Sequence, residues 1–192
     1  MNNPAHVHIM PDLETLGTSP QSPIIAIGCT IGPELPEFYV KIAITDTVGE
    51  IDKNTMLWWL DQSKEAQDET FKNNISGITL RAMLMQFTDW FYRVTDGGTR
   101  PYTIYGNAAS FDLVLLRESY KAVGFHAPWN FRNESCYRTL KNQFPEIVFA
   151  PEAGSTAHCA LDDAKNQHEH LMRILDHIDN MKEFYSNGDQ II

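Results

Sequence analysis

The first third of the chain alternates between apolar and polar positions in a way that predicts β-strands. Residues 6–10 and 37–43 alternate, and residues 24–31 form a β-branched run bounded by proline and glycine. Short loops join these three segments, which is typical of an antiparallel meander. The order of the segments therefore predicts a sheet at the start of the fold.

The period of the apolar positions then changes to that of a helix. Asn54 or Thr55 can cap a short helix that continues to Leu60, and a longer helix is predicted from Leu80 to about Val94. The later segments are predicted to form a short strand, two helices and a long amphipathic helix, at residues 103–105, 113–122, 137–143 and 160–184. Strands followed by helices that alternate with strands predict an α/β sandwich with a mixed sheet.

Length and composition limit the class of protein. The chain has 192 residues, of which 43% are hydrophobic and 21% charged, so we expect one folded domain over residues 1–192 and not a disordered chain. No apolar run approaches the roughly 20 residues of a membrane-spanning helix, and the first residues lack the features of a signal peptide. The expected location is therefore cytoplasmic, with no membrane partner. Three widely spaced cysteines form neither a disulfide framework nor a paired zinc motif.

The net charge of -10 is distributed unevenly along the chain. Residues 1–92 and 142–192 carry balances of -7 and -6, whereas residues 93–141 carry +3. This net-basic segment can face a polyanion, and the acids elsewhere can hold phosphates through divalent cations. The overall charge therefore does not exclude nucleic acid as a partner. The cations of the segment are Arg93, Arg100, Arg117, Lys121, Arg132, Arg138 and Lys141.

Three short segments carry the candidate chemistry. Asp12 and Glu14 end the first predicted strand and project to one face, since residues i and i+2 of a strand do so. Asp112 follows a later strand, at the sheet edge where ligands of α/β proteins bind. His158 and Asp163 open the last helix. They converge on one site only if the histidine lies on the loop before that helix.

Four acids and a histidine predict metal-dependent hydrolysis of a phosphodiester. Clustered carboxylates disfavour one another unless a cation lies between them, and Mg²⁺ and Mn²⁺ prefer such oxygen ligands. Two ions about 3.5–4 Å apart clamp the attacking and leaving oxygens of an in-line phosphoryl displacement. A histidine side chain, which ordinarily titrates near neutrality, can accept the proton of the attacking water.

The order Asp-x-Glu, Asn-x-x-x-Phe-Asp, His-x-x-x-x-Asp resembles the three motifs of the DEDD exonuclease superfamily, in its histidine subgroup (DEDDh). The match runs from Asp12 to Asp163. The phrases Asp-Leu-Glu-Thr-Leu-Gly at 12–17 and Trp-Trp-Leu at 58–60 are most similar to compact exonucleases of phages and prophages related to a mycobacterial exoribonuclease. A phage-encoded enzyme would act in the host cytoplasm.

The resemblance implies a ribonuclease H-like fold, with a mixed five-stranded sheet flanked by helices, and 3'-to-5' release of nucleoside 5'-monophosphates. It implies two Mg²⁺ or Mn²⁺ ions. Asp12 would bridge both ions, Glu14 and Asp163 would complete the site on the nucleophile side, and Asp112 would hold the ion on the leaving-group side. His158 would be the general base.

The resemblance also implies where the 3' end of the substrate is held. Thr15 and Leu16 follow the first motif, at the position that grips the terminal nucleotide in the family, and Asn107 and Phe111 are further candidates. The expected substrate is single-stranded DNA or a 3' overhang. The alternatives are an exoribonuclease with the same site, a phosphodiesterase acting on dinucleotides, and a non-catalytic nucleic-acid-binding module. Many relatives are dimers, so a homodimer is one arrangement that the resemblance allows.

Some neighbouring residues are expected to have structural roles. Pro11 precedes Asp12 where the family has an apolar residue, so in a central strand it should lie at the end or at a bulge, because proline cannot donate to a ladder. The pair Trp58-Trp59 is expected to pack in a core or a subunit interface. His168 and His170 lie about 200° apart on a helix and are expected on a solvated face.

Overall fold

The computed structural model describes residues 6–72 and 77–188. Five strands form one mixed sheet, as the resemblance implies, in the order β3-β2-β1-β4-β5. Strand β1 pairs antiparallel with β2 and parallel with β4, and β4 pairs parallel with the edge strand β5. The strands are β1 (Val7–Thr15), β2 (Ile24–Thr30), β3 (Phe38–Lys41), β4 (Tyr102–Gly106) and β5 (Glu134–Cys136).

Helices cover both faces of the sheet. They are α1 (Lys53–Leu60), α2 (Lys64–Phe71), α3 (Leu80–Val94), α4 (Asp112–Ala122), α5 (Tyr137–Gln143) and α6 (Ala160–Gly188). Because side chains alternate along a strand, Ile9 and Leu13 of β1 pack with α3 and α4, whereas Met10 packs with α5 and α6. Among the described residues, no helix is both long and apolar enough to cross a membrane.

Helix α1 begins earlier than the sequence analysis expects. Its cap is Asp52, whose carboxylate accepts hydrogen bonds from the backbone N–H groups of Asn54 at 2.6 Å and Thr55 at 3.4 Å. An aspartate carboxylate is as good a cap as asparagine or threonine, and it places the helix start at Lys53. Helix α2, which the sequence analysis did not predict, follows at once and is capped by Ser63.

Pro11 lies inside the central strand and not at its end or at a bulge, so that expectation is wrong. It stands opposite Cys29 of β2, and the register shift of the strand comes later, between Glu14 and Thr15. The parallel ladder with β4 ends at Ile9, so beyond that residue β1 pairs on one side alone. In an antiparallel ladder only alternate residues exchange hydrogen bonds, which leaves positions where proline needs no donor.

Gly28 brings the start of α6 against the sheet. It lies opposite Asp12 in the β1–β2 register. A Cβ atom at Gly28 would lie 2.2 Å from the backbone carbonyl carbon of Ala160 and the backbone nitrogen of Leu161. Only glycine permits this approach, and the approach sets the first turn of α6 beside the end of β1.

His168 and His170 are buried, which corrects the expectation of a solvated helix face. They expose 4% and 0% of their surface. The Nε2 atom of His168 donates to the carbonyl of His8 at 3.1 Å, and that of His170 to the carbonyl of Ile147 at 2.6 Å. The two rings point to different partners, as their helical spacing requires. Both are buried because α6 is covered by the sheet and by the segment around residue 147.

Candidate active site

Three carboxylates from two distant parts of the chain meet at one end of the sheet. Asp12 and Glu14 come from the end of β1, and Asp163 from the first turn of α6. One oxygen atom of each lies within 4.8 Å of the other two. The side chains of Asp12 and Glu14 are buried, with 9% and 7% exposed surface. The structure therefore brings together three of the four acids that the sequence analysis singled out.

His158 lies on the loop before α6, as convergence with Asp163 requires. Its backbone has a φ of +63°, in the left-handed region, and its N–H donates to Oδ2 of Asp163 at 2.9 Å. The imidazole centroid lies 4.9 Å from that of Trp58 and 6.0 Å from that of Trp59, both in edge-to-face contact. The ring of His158 therefore lies against aromatic side chains in the same cleft as the acids.

Asp112, the fourth acid, reaches the cleft through a tight turn after β4. It is the first residue of α4, and its Oδ2 accepts a hydrogen bond from the N–H of Ala108 at 3.0 Å. A Cβ atom at Gly106 would lie 2.9 Å from Cα of Ala109, so the turn depends on glycine there. Asp112 lies outside the closest group of three, but its charge raises the pKa of Asp12.

The cleft around these residues has a volume of about 800 Å³. Thr15, Asn107 and Phe111 line it, as expected of substrate contacts, although the hydroxyl of Thr15 donates to the carbonyl of Gly17 at 2.8 Å. Leu16 does not line it, because its side chain is 1% exposed and packs in a small core cluster. Its backbone N–H donates to the carbonyl of Pro23, and its carbonyl accepts from the N–H of Asp52.

Burial of the acids raises their pKa values. It raises the pKa of Glu14 to about 9, and the negative charges of the neighbouring acids add to the effect. Burial likewise raises the pKa of Asp12 well above its usual range, and it raises that of Asp163. It raises the pKa of Asp112 to about 6, although backbone N–H groups oppose the shift. Without a cation this group of carboxylates therefore tends to hold protons.

The donor set fits a divalent cation. Among the described residues, no hydrogen-bond partner reaches the buried Oε1 of Glu14. A buried oxygen without a partner is costly, and a hard cation satisfies several carboxylate oxygens at once. Asp12 is held by Gln167, whose Nε2 donates to Oδ1 at 2.8 Å. Asp12, Glu14 and Asp163 are the residues that can hold such an ion, with Asp112 beside them.

Gln167 is a site residue that sequence reasoning missed. It lies one helical turn after Asp163, so both side chains leave the same face of α6. That spacing was the available signal. Its hydrogen bond to Asp12 joins the end of β1 to α6 inside the site.

The two tryptophans differ in burial, and packing in a core is confirmed for Trp59. Trp59 is 1% exposed, and its Nε1 donates to the carbonyl of Thr15 at 2.9 Å. Trp58 is 43% exposed and lines the cleft against His158. Arg138 and Lys141 of α5, two cations of the net-basic segment that the sequence analysis identified, also line the cleft.

Comparison with known proteins agrees with this geometry. No curated protein matches the sequence. The nuclease domain of 3'hExo, a DEDDh family member in complex with rAMP, is 15% identical, with a TM-score of 0.62 over 88% of this chain and 92% of that one. Cell-death related nuclease 4 is 15% identical, with a TM-score of 0.56 over 88% of this chain and 64% of that one. These likenesses establish the fold.

The family described as the 3'-5' exoribonuclease Rv2179c-like domain matches residues 7–175, so the chain belongs to that family of 3'-5' exonucleases.

Proposed function

We propose that this exonuclease shortens single-stranded nucleic acid from the 3' end by a two-metal mechanism and releases nucleoside 5'-monophosphates. The observation that carries the proposal is the group of three carboxylate oxygens within 4.8 Å of one another, beside His158. Two divalent cations bound there would stabilise the charge that develops on the attacking and leaving oxygens. Asp12 would contact both ions, Glu14 and Asp163 would hold one, and Asp112 the other.

His158 would act as the general base in this mechanism. Its imidazole takes a proton from water while the water oxygen bonds to the terminal phosphorus and the bond from phosphorus to the 3' oxygen breaks. The left-handed backbone at φ +63° and the contact with Trp58 hold the ring toward the cleft. The 3' oxygen leaves with the shortened strand and takes a proton from solvent.

RNA is the substrate to test first. The family's description names an exoribonuclease, and the similar nuclease domain of 3'hExo is in complex with rAMP. Single-stranded DNA, the substrate expected from the sequence, is the second candidate. The four acids and His158 would act on the phosphodiester, which is the same in RNA and DNA. The 2'-hydroxyl is the group by which a protein distinguishes the two. Thr15, Asn107 and Phe111, which line the cleft, are the candidate contacts to it.

The test is the digestion of matched 5'-labelled RNA and DNA oligonucleotides with Mg²⁺, with Mn²⁺ and with chelator. Wild type should give a metal-dependent ladder that shortens from the 3' end, and Asp12→Ala and His158→Ala should not. Asp162→Asn is the matched control, because this neighbouring acid stands outside the group of three and its amide oxygen can still accept from Thr156. No shortening by wild type, or shortening that survives the loss of Asp12, would contradict the proposal.

A further inference from the structure

A second cavity, lined by basic and aromatic side chains, lies at the start of β4, the opposite end of this strand from the acids. This distal cavity has a volume of about 690 Å³ and is bordered by the start of β4, the end of α4 and residues 125–132. Among the described residues, no carboxylate lines it. In a chain with a net charge of -10, such a surface favours a polyanion. The lining residues that carry the argument are Tyr102, Arg117, Lys121, His126, Phe131 and Arg132.

The mouth of the distal cavity has an aromatic ring beside a cation. Phe131 is 63% exposed, and the guanidinium carbon of Arg132 lies 4.7 Å from its ring centroid. Within residues 6–72 and 77–188, no acidic partner is described for Arg132. Exposed aromatic rings and arginine side chains are the surfaces on which unpaired bases stack. The pair therefore has the chemistry of a stacking site for a base with a phosphate next to it.

The acids near this face are already engaged. Glu134 accepts hydrogen bonds from Arg117 and, at 2.7 Å, from Nε1 of Trp129. Glu118 pairs with Lys121 on the surface of α4, where the lysine side chain is 66% exposed. Exposed pairs of this kind are weak, so the lysine can exchange its partner for a phosphate.

The edge strand β5 connects the distal cavity to the cleft. Arg132 precedes β5, and α5, which carries Arg138 and Lys141, follows it directly. Both of these cations line the cleft, and Nζ of Lys141 lies 5.6 Å from the ring centroid of Tyr137. The six residue steps from Arg132 to Arg138 span at most about 20 Å. At the 3.4 Å rise of a stacked strand, at most about six nucleotides are therefore needed to cover it.

We infer that a single-stranded substrate runs along this side of the molecule. Its 3' end lies in the cleft, its next phosphates contact Arg138 and Lys141, and its backbone follows β5. A base on the 5' side then stacks on Phe131 beside Arg132 in the distal cavity. The inference rests on the proposed function, because the cleft holds the 3' end. It names the substrate class as single strands long enough to reach from the cleft to the distal cavity, a length that a 12-mer exceeds and a trimer does not reach.

Binding by the inactive Asp12→Asn protein tests this path. Fluorescence anisotropy in Mg²⁺ would compare 5'-fluorescein oligonucleotides of 3 and 12 nucleotides. The 12-mer should bind more tightly. The double variant Phe131→Ala and Arg132→Ala should weaken the 12-mer at least about fivefold, the lower end of what one stacked base contributes, and the trimer less than about twofold. Arg132→Gln alone should reduce the salt dependence of 12-mer binding by about 0.7 in log–log slope.

A matched control lies on α6. Phe184 and Lys182 are also an exposed aromatic and an exposed cation, with 74% of the phenylalanine and 68% of the lysine side chain exposed. Replacing both with alanine should leave the two affinities unchanged. Phe131→Tyr should keep the stacking. An equal loss for trimer and 12-mer, or no loss for the 12-mer, would overturn the path. Because the readout is binding, this result is separate from failure of the proposed function, which appears as no shortening by wild type.

Discussion

The carboxylate of Asp163 accepts the backbone hydrogen bond of His158, five residues before it, at 2.9 Å. This bond closes the loop before α6 and holds the histidine at a φ of +63°, a conformation that costs about 1–2 kcal/mol for a residue other than glycine. The same carboxylate belongs to the group formed with Asp12 and Glu14. Asp163 therefore has two roles, in the loop and in the acidic group.

Two substitutions separate these roles. Asp163→Asn keeps an oxygen that can accept from His158 but removes the charge, whereas Asp163→Ala removes both. We expect both variants to lose activity at least about 100-fold, in the range measured for removal of one stabilising group from an active site. Only the alanine variant should speed amide hydrogen exchange at His158. Single-turnover rates and exchange measurements check this. Fast exchange in the asparagine variant would mean that the loop depends on the charge.

Metal binding should stabilise the protein more at pH 8 than at pH 5.5. Glu14 has an ordinary pKa of 4.5, which burial raises to about 9 in the fold. Between these values the folded chain binds a proton that the unfolded chain releases, so the stability of the metal-free protein falls as the pH rises. A cation stabilises the charged carboxylates and competes with protons for them.

Thermal unfolding with and without Mn²⁺ measures this effect. An ion at 100 times its Kd contributes about 2.7 kcal/mol, which corresponds to a rise in Tm of roughly 5–10 °C for a chain of this length. At pH 5.5 the rise should be smaller. Asp12→Ala protein should show little rise at either pH. An equal rise at both pH values would contradict the link between the raised pKa of Glu14 and metal binding.

Gln167 should act as a positioning residue for Asp12. Its Nε2 donates to Oδ1 of Asp12 at 2.8 Å, and both side chains are buried. Gln167→Leu fills a similar volume without the hydrogen bond. Loss of such an outer partner typically lowers metal affinity or activity about 10–100-fold.

The Mn²⁺ dependence of the rate distinguishes a positioning role from a merely structural one. In Gln167→Leu the metal concentration for half-maximal rate should rise, while the Tm of the metal-free protein stays close to that of wild type. Gln167→Asn tests whether a shorter amide can substitute. A lowered Tm with an unchanged metal dependence would assign the residue to packing alone.

Gly28→Ala should damage both stability and activity. The new Cβ would lie 2.2 Å from the backbone of Ala160, so the start of α6 would have to move away from β2. Overpacking of this kind costs about 1–3 kcal/mol, and the movement would carry Asp163 away from Asp12. Chemical denaturation and single-turnover rates measure the two losses.

Gly97→Ala is the control for that substitution. Nothing lies within 4 Å of a Cβ at Gly97, although its φ is +66°. We therefore expect Gly97→Ala to lower the free energy of unfolding by about 1–2 kcal/mol, the cost of the left-handed backbone alone, and to retain the catalytic rate. Comparable rates in the Gly28 and Gly97 variants would show that α6 tolerates the displacement.

Much of the fold could be predicted from the sequence because its signals are local. The helical spacing of apolar residues in α3 and the alternation in β1 depend on a few neighbouring positions, and the structure confirms both elements. Helix α2 and the three-residue strand β5 were missed. The first has no apolar stripe and the second is too short to show a period. Pro11 was placed wrongly because the end of the β4 ladder decides where proline fits.

In the candidate site too, the residue types could be predicted from the sequence, whereas their burial could not. The acids and His158 were identified from motif order, and the structure brings Asp12, Glu14 and Asp163 together. The homodimer and the cytoplasmic location stay predictions of the sequence. The burial of Leu16 could not be predicted, since alternation does not show which side chain a neighbouring helix will cover.

The sequence by itself determined the kinds of side chain available, their order and the local elements that carry them, since these depend on near neighbours. Only the tertiary structure decided which of them meet. Asp12 and Gln167 are 155 positions apart and share a hydrogen bond, because Gly28 admits α6 to within contact of β2. Such contacts arise from packing between distant segments, which no local pattern records.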